Sequence, residues 1–347
     1  RRSSDLDMDW IGMDIGGANI KLADSRGQGV SRPFALWNNP AGLAAELTGM
    51  LSFVERDCPL AVTMTGELAD CFSDPSEGVR QIVAAVVAAA DGRQVRLYST
   101  SGDWLRPGDL EDSEALVASV AAANWHALAR YSSRHGEGDF QLLVDIGSTT
   151  TDIIPIRKGV PRSVGRTDTE RLASGELVYA GVRRTAVSSL VSELPLGGQA
   201  VPVARELFAT TLDVYLVLGE LEVDDQDHAT ADGRPATIDQ ARTRMARMLC
   251  ASPRDLQETE VVAMAETVAA KQRQLLGDAI TKVLATAGGV PDTILLSGEG
   301  SFLGEQVIGE LELATSLLAL DDLLGPSLSC VAPALAVAVL AGEEVDG

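Results

Sequence analysis

At 347 residues the chain has room for two domains with sizeable cores, and a hydrophobic share of 46% marks it as globular rather than disordered. A formal net charge of -22 argues against nucleic acid and anionic membrane surfaces as partners, and 4% aromatic residues leave little for stacking on single strands. The acidity itself reads most simply as solubility.

In chain order, a strand is predicted over 10–15, followed by a hairpin of strands over 20–24 and 30–37 joined by a Gly-rich turn. A helix over 41–56 puts Leu43, Leu47, Met50, Leu51 and Val54 on one face. A short buried strand over 60–64 precedes a helix over 75–90, capped by Asp74 or Ser76. A strand over 95–98 and one long helix over 113–131 close the first half. The pattern then restarts. A strand over 140–145 leads into a strand over 151–156 and a hairpin through Lys158-Gly159. Helices follow over 203–221, 238–249 and 258–287, then a buried strand over 293–296 and an apolar helix over 332–341. Gly197-Gly198 and 224–235 are the expected loops.

Cys58, Cys71, Cys250 and Cys330 are scattered and form no CxxC, the pattern of reduced thiols in a cytoplasmic protein. His126, His135 and His228 lack metal-ligand spacing, which argues against zinc. Residues 1–9 are charged and lack the apolar core of a signal peptide, and the apolar run 83–90 is too short to span a bilayer. No membrane and no nucleic acid partner is expected.

The most informative feature is a repeat. Asp14-Ile15-Gly16-Gly17-Ala18-Asn19-Ile20-Lys21 and Asp145-Ile146-Gly147-Ser148-Thr149-Thr150-Thr151-Asp152 lie about 130 residues apart. Each puts an acid at the end of an apolar strand and small residues in the turn beyond. Such a turn can hold phosphate oxygens on its backbone N–H groups, with Asp14 and Asp145 placed to hold Mg²⁺ through water. Gly16, Gly17 and Gly147 allow close approach of an anion, and Ser148, Thr149 and Thr150 add hydroxyl donors. Lys21 either reaches a phosphate or is a solvated hairpin lysine; Asn19 either donates to the same anion or stabilises the turn. The expectation is two α/β domains, over 1–138 and over 139–347 with an inserted helical region, around a central cleft that takes one anionic ligand.

Three further groups stand out. Seven cations between 157 and 184 face three acids in an otherwise acidic chain, and Arg183-Arg184-Thr185 is the stretch most suited to clamping phosphate. Thr65 and Glu67 follow the strand over 60–64, where they can bind an acceptor, or Glu67 can act as a general base. Gly298 and Gly300 flank Glu299 in a turn that lets something flat or anionic come close.

This organisation resembles the actin-like ATPase (RNase H-like) superfamily of sugar kinases, actin and Hsp70 chaperones. The resemblance implies that the Gly298–Gly300 turn packs against adenine. A carboxylate at Glu299 would crowd the base, so ATP stays open. A narrower resemblance rests on IGMDIGGANIK at 11–21, VTMTGELADCF at 62–72, AAANW at 121–125, LLVDIGSTTTDIIPI at 142–156, YAGVRRTAV at 179–187, ATTLDVYLVLG at 209–219 and LSGEGSFL at 296–303. These resemble the hydantoinase/oxoprolinase-related proteins linked to tetrahydromethanopterin C1 transfer. That family implies a transferase of methanofuran or methylofuran assembly. It joins an aminomethylfuran-methyl diphosphate to a tyramine-type phenol and releases diphosphate. Asp14, Asp145, Asp152 and Glu67 are then the catalytic candidates, with the phenol's base open among Asp145, Asp152 and Glu67. Thr65 and Arg184 become substrate contacts, and Mg²⁺ the metal. The alternative on the same fold is an ATP-dependent small-molecule kinase or ATPase.

Overall fold

The computed structural model describes residues 9–55 and 57–345. The reading of residues 1–8 lies outside the described residues, as does Arg56; the helix predicted over 41–56 already ends at Leu51. The chain forms two compact units, one from Arg1–Gln141, Ile156–Asp168 and Leu320–Gly347, the other from Leu142–Pro155 and Thr169–Ala319.

The first unit is built on a six-stranded sheet. Its strands are β1 (Ile11–Ile15), β2 (Asn19–Asp24), β3 (Gly29–Pro33), β4 (Leu60–Met64), β5 (Val95–Tyr98) and β6 (Trp104–Leu105), in the order β3-β2-β1-β4-β5-β6. β1 runs parallel to β4 and antiparallel to β2. Alternation along β1 sorts its two faces. Ile11, Met13 and Ile15 enter a core with Leu43, Leu47, Val79, Ile82 and Val86 from the helices Leu43–Leu51 and Pro75–Ala90. Trp10 faces the other way, into a core with the helices Asn124–Ser132 and Ala332–Val345. Gly12 is on that same face, where a methyl group would overlap the Ala334 carbonyl. The helix therefore rests directly on the strand.

The second sheet contains β7 (Phe140–Ile146), β8 (Thr151–Arg157), β9 (Val160–Pro161), β10 (Leu177–Val178), with β11 (Glu193–Leu196) and β12 (Gln199–Pro202) as a separate hairpin, then β13 (Thr293–Ser297) and β14 (Ser316–Ala319). Its main path is β10-β8-β7-β13-β14, and β9 pairs with the end of β8. In the second unit the helix Glu258–Ala287 starts at a capping box, Gln257 N–H to the Glu260 carboxylate at 2.9 Å, and stops at Gly288 with φ 83°. No helix among the described residues is long and apolar enough to cross a membrane.

Several predicted elements change. Asp74 rather than Ser76 caps the helix Pro75–Ala90, accepting from the Glu77 N–H at 2.9 Å. The strand expected over 30–37 stops at Pro33. The single helix over 113–131 is two, Glu114–Val120 and Asn124–Ser132, broken where Ala122 takes φ 45°. The helix over 203–221 shrinks to Thr211–Leu218, because Thr210 and Asp213 form a capping box and Gly219 ends it at φ 75°. Gly197 and Gly198, at φ 58° and 77°, make the tight β11–β12 turn, a conformation open to few other residues.

Candidate active site

The two repeated turns close alike. In the first, the Gly16 N–H donates to the Asn19 carbonyl at 3.0 Å; in the second, the Gly147 N–H donates to the Thr150 carbonyl at 2.9 Å. Each turn is also braced from a later segment. Leu36 and Phe34 N–H groups donate to the Gly17 and Ala18 carbonyls, both at 2.9 Å. Val182 donates to the Gly147 carbonyl, and Arg183 and Arg184 both donate to the Ser148 carbonyl, at 2.9–3.0 Å. With their carbonyls held from one side, the turns are fixed in shape. A side-chain carbon added at Gly17 would meet nothing within 4 Å, so this backbone faces open space.

In the first unit the parallel register puts Asp14 opposite Thr63, and the antiparallel register puts it opposite Lys21. The three side chains therefore share one face as a row across β2, β1 and β4. Lys21 Nζ is 3.4 Å from Asp14 Oδ2. Asp14 is buried, and burial pushes its carboxyl up from the usual range while Lys21 pulls it down. Glu67 follows β4, is 2% exposed, and is pushed up to about 7, chiefly by burial, with Asp168 and Asp14 repelling its charge. Hydrogen bonds from its own backbone and from the Ala122 backbone oppose that rise. Asp14 Oδ1, Glu67 Oε2 and Thr63 Oγ1 are all buried and have no hydrogen-bond partner. Such atoms are costly to leave unmet and point to a ligand, metal or water. Thr65 is next to this turn: its Oγ1 lies 3.5 Å from where a Gly16 side-chain carbon would stand. Thr63 was not among the candidates from sequence, although the strand pairing of 10–15 with 60–64 is the signal that finds it.

In the second unit Asp145 is half-buried at the end of β7, and its Oδ1 is 2.8 Å from where a side-chain carbon on Gly298 would be. Gly298, at φ 87°, is required there twice, by its backbone and by this close approach. The Gly300 N–H donates to the Ile146 carbonyl at 2.9 Å, so the Gly298–Gly300 turn packs onto the β7 end. Two expectations need correction. Asp152 is not poised as a free base: it is in a buried ion pair with Arg171, itself 1% exposed. The Arg183 guanidinium, expected to clamp phosphate, is instead paired with acids of its own chain: Nε donates to both Glu299 carboxylate oxygens at 2.7 and 2.8 Å, and Nη1 to Asp227 at 2.9 Å. Arg184 has an exposed side chain, and its backbone N–H donates to the Ser148 carbonyl. Ser148, Thr149 and Thr150 remain half-buried on the turn itself.

Hard carboxylate oxygens, with no cluster of three or more His, Cys, Asp or Glu ligands among the described residues, make no all-protein metal cage. This donor set suits an ion that keeps its waters and is held by one or two carboxylates plus substrate phosphates.

Two sheets that each open strand–turn–strand, with an acid at the strand end, define a mixed α/β protein of the actin-like ATPase fold. The chain superposes on a nucleotide-free structure of an ATP-dependent acetone carboxylase with a TM-score of 0.56 at 12% identity, covering 95% of this chain and 70% of that one. It belongs to the hydantoinase/oxoprolinase family, whose model matches residues 60–343. It is similar to the (4-{4-[2-(gamma-L-glutamylamino)ethyl]phenoxymethyl}furan-2-yl)methanamine synthase of Methanocaldococcus jannaschii, at 30% identity over 339 residues, 97% of this chain and 98% of that protein. The synthase of the same name from Methanococcus vannielii is 30% identical over 210 residues, 59% of this chain and 92% of that protein. The likeness to methanofuran-forming relatives read from the motif stretches is thus found along nearly the whole chain.

Proposed function

We propose that this chain is a transferase of methanofuran-type cofactor assembly. It joins an aminomethylfuran-methyl diphosphate to a tyramine-type phenol, making an aryl ether and releasing diphosphate. The observation that carries this reading is the pair of buried carboxylates beside the first turn, Asp14 and Glu67, each with an unused oxygen. The likeness to two synthases of this type, over 97% of this chain in one and 59% in the other, supplies the substrate class.

In this reading each turn, Gly16–Asn19 in one unit and Gly147–Thr150 in the other, is suited to holding phosphate oxygens, and Asp14 and Asp145, each in its own unit, are acids suited to Mg²⁺. When bound, that ion neutralises charge on the leaving diphosphate. A furfuryl carbon tolerates positive charge, so breaking its C–O bond mainly needs help at the leaving group. The electron pair leaves with diphosphate, the phenol oxygen bonds to the carbon, and the phenol proton passes to Glu67 Oε2. A carboxylate that titrates near neutral pH is matched to that task. Glu67 is preferred to Asp152 for this step because Asp152 is in an ion pair with Arg171. Thr65, beside Gly16, and the exposed Arg184 stay assigned to substrate contacts. Glu299, held by Arg183, occupies the turn that would otherwise admit adenine, which favours diphosphate over ATP.

Calorimetric titration with Mg²⁺ tests this directly. The wild type takes up inorganic diphosphate and does not take up ATP; tight ATP binding would move the assignment to a kinase or ATPase. Asp14→Asn lowers turnover about 100-fold or more while leaving the circular dichroism spectrum unchanged. Wild-type turnover in that variant would remove Asp14 from the site.

A further inference from the structure

The helix Glu258–Ala287 carries a stripe of buried residues that includes Val261, Ala265, Val268, Ala269, Leu276 and Ile280, and in its middle stands Gln272, 0% exposed. A fully buried amide in an apolar stripe is costly unless its donors and acceptor are used. Here they are used directionally. The Tyr215 hydroxyl donates to Gln272 Oε1 at 2.9 Å, and Gln272 Nε2 donates to the Gly181 carbonyl at 3.0 Å. The tyrosine fixes which end of the amide points at Gly181. Thr211 Oγ1 donates to the same carbonyl at 2.8 Å.

That carbonyl belongs to the peptide group whose N–H, on Val182, donates to the Gly147 carbonyl at 3.0 Å. Because the peptide is planar, fixing its C=O fixes the direction of its N–H. The fit is close. A side-chain carbon at Gly181 would lie 2.5 Å from the Gly147 carbonyl oxygen, the Ser148 carbonyl carbon and the Thr149 nitrogen. We infer that Gln272 is a positioning residue for the second phosphate turn. It acts through the Gly181–Val182 peptide, with Tyr215 setting its orientation. The inference rests on the proposed function in taking diphosphate as the turn's ligand.

Two measurements test it, on the full chain. The first needs no ligand: amide hydrogen exchange at Val182, Arg183 and Arg184, whose N–H groups hold the turn. Gln272→Leu speeds exchange at these three amides more than elsewhere, and Tyr215→Phe, which removes only a hydroxyl, does so to a lesser degree. The second is titration with Mg²⁺ and inorganic diphosphate. Gln272→Leu weakens binding about tenfold or more. Gln272→Glu is the diagnostic variant. When neutral, its acid O–H donates to the Gly181 carbonyl and its C=O accepts from Tyr215, so affinity is near wild type at low pH. It is lost as pH rises and the buried acid ionises against that carbonyl. Unchanged exchange at 182–184 in Gln272→Leu and Tyr215→Phe would overturn the inference. So would unchanged diphosphate affinity in a Gln272→Leu protein whose only defect is a lower Tm. If the wild type itself fails to take up diphosphate, the functional reading falls, and the exchange experiment still decides the role of Gln272.

Discussion

Glu67→Gln abolishes turnover and, above neutral pH, stabilises the fold. Both effects have one cause. Glu67 is buried with an oxygen that has no partner, and its carboxyl is raised from 4.5 to about 7. Below about 4.5 the acid is neutral in both the folded and the unfolded chain. Between these values the fold keeps a proton that the unfolded chain has released. The stability contributed by the neutral acid is therefore fully present at low pH and lost as pH rises through about 7. Glutamine has no charge to bury. The advantage of the variant is near zero at pH 4.5 and grows to the order of 3 kcal/mol above pH 7. Thermal melts of both proteins at pH 5 and pH 8 measure it, and equal differences at the two values would contradict it. The same group predicts a wild-type kcat/KM that rises with pH through about 7, as a base requires, and a variant without that limb.

Gly12→Ala has the largest expected effect on stability. On β1 the new methyl group would overlap the Ala334 carbonyl oxygen, and it would stand 2.8 Å from the Ala334 carbonyl carbon and 2.9 Å from the Ala338 nitrogen. These are backbone atoms of a helix, so nothing can swing aside. The helix Ala332–Val345 must lift from the strand, opening the core that holds Trp10, Ala61 and Tyr98. Urea unfolding is expected to report a loss of about 3 kcal/mol or more. Gly17→Ala is the matched control, because its added carbon meets nothing within 4 Å. It leaves stability unchanged and impairs only the approach of an anion to the turn. A Gly12→Ala protein as stable as Gly17→Ala would show that the helix does not bear on β1 as described.

What was readable in the sequence was local. An acid at the end of an apolar strand followed by small residues specifies a turn, and both copies close with the same hydrogen bond. The strand over 60–64 and the helices over 75–90 and 258–287 carry their own periodicity and caps. What was not readable depends on distant partners. The helix break at Ala122 goes with a bond to Glu67, far back in the chain. Asp152 looked like a free acid until Arg171 folded against it. Arg183 looked like a phosphate clamp, but its partners, Asp227 and Glu299, lie 44 and 116 residues away and carry no common motif. Gln272 reads as an ordinary polar residue on a helix until the stripe around it is seen to be buried.

The most direct test is to incubate the purified protein with Mg²⁺, the aminomethylfuran-methyl diphosphate and either tyramine or γ-glutamyltyramine, following products by mass spectrometry. The account predicts an aryl ether and one diphosphate released per ether, with no dependence on ATP. An intact furan diphosphate with both acceptors, in a protein that instead hydrolyses ATP, would contradict it.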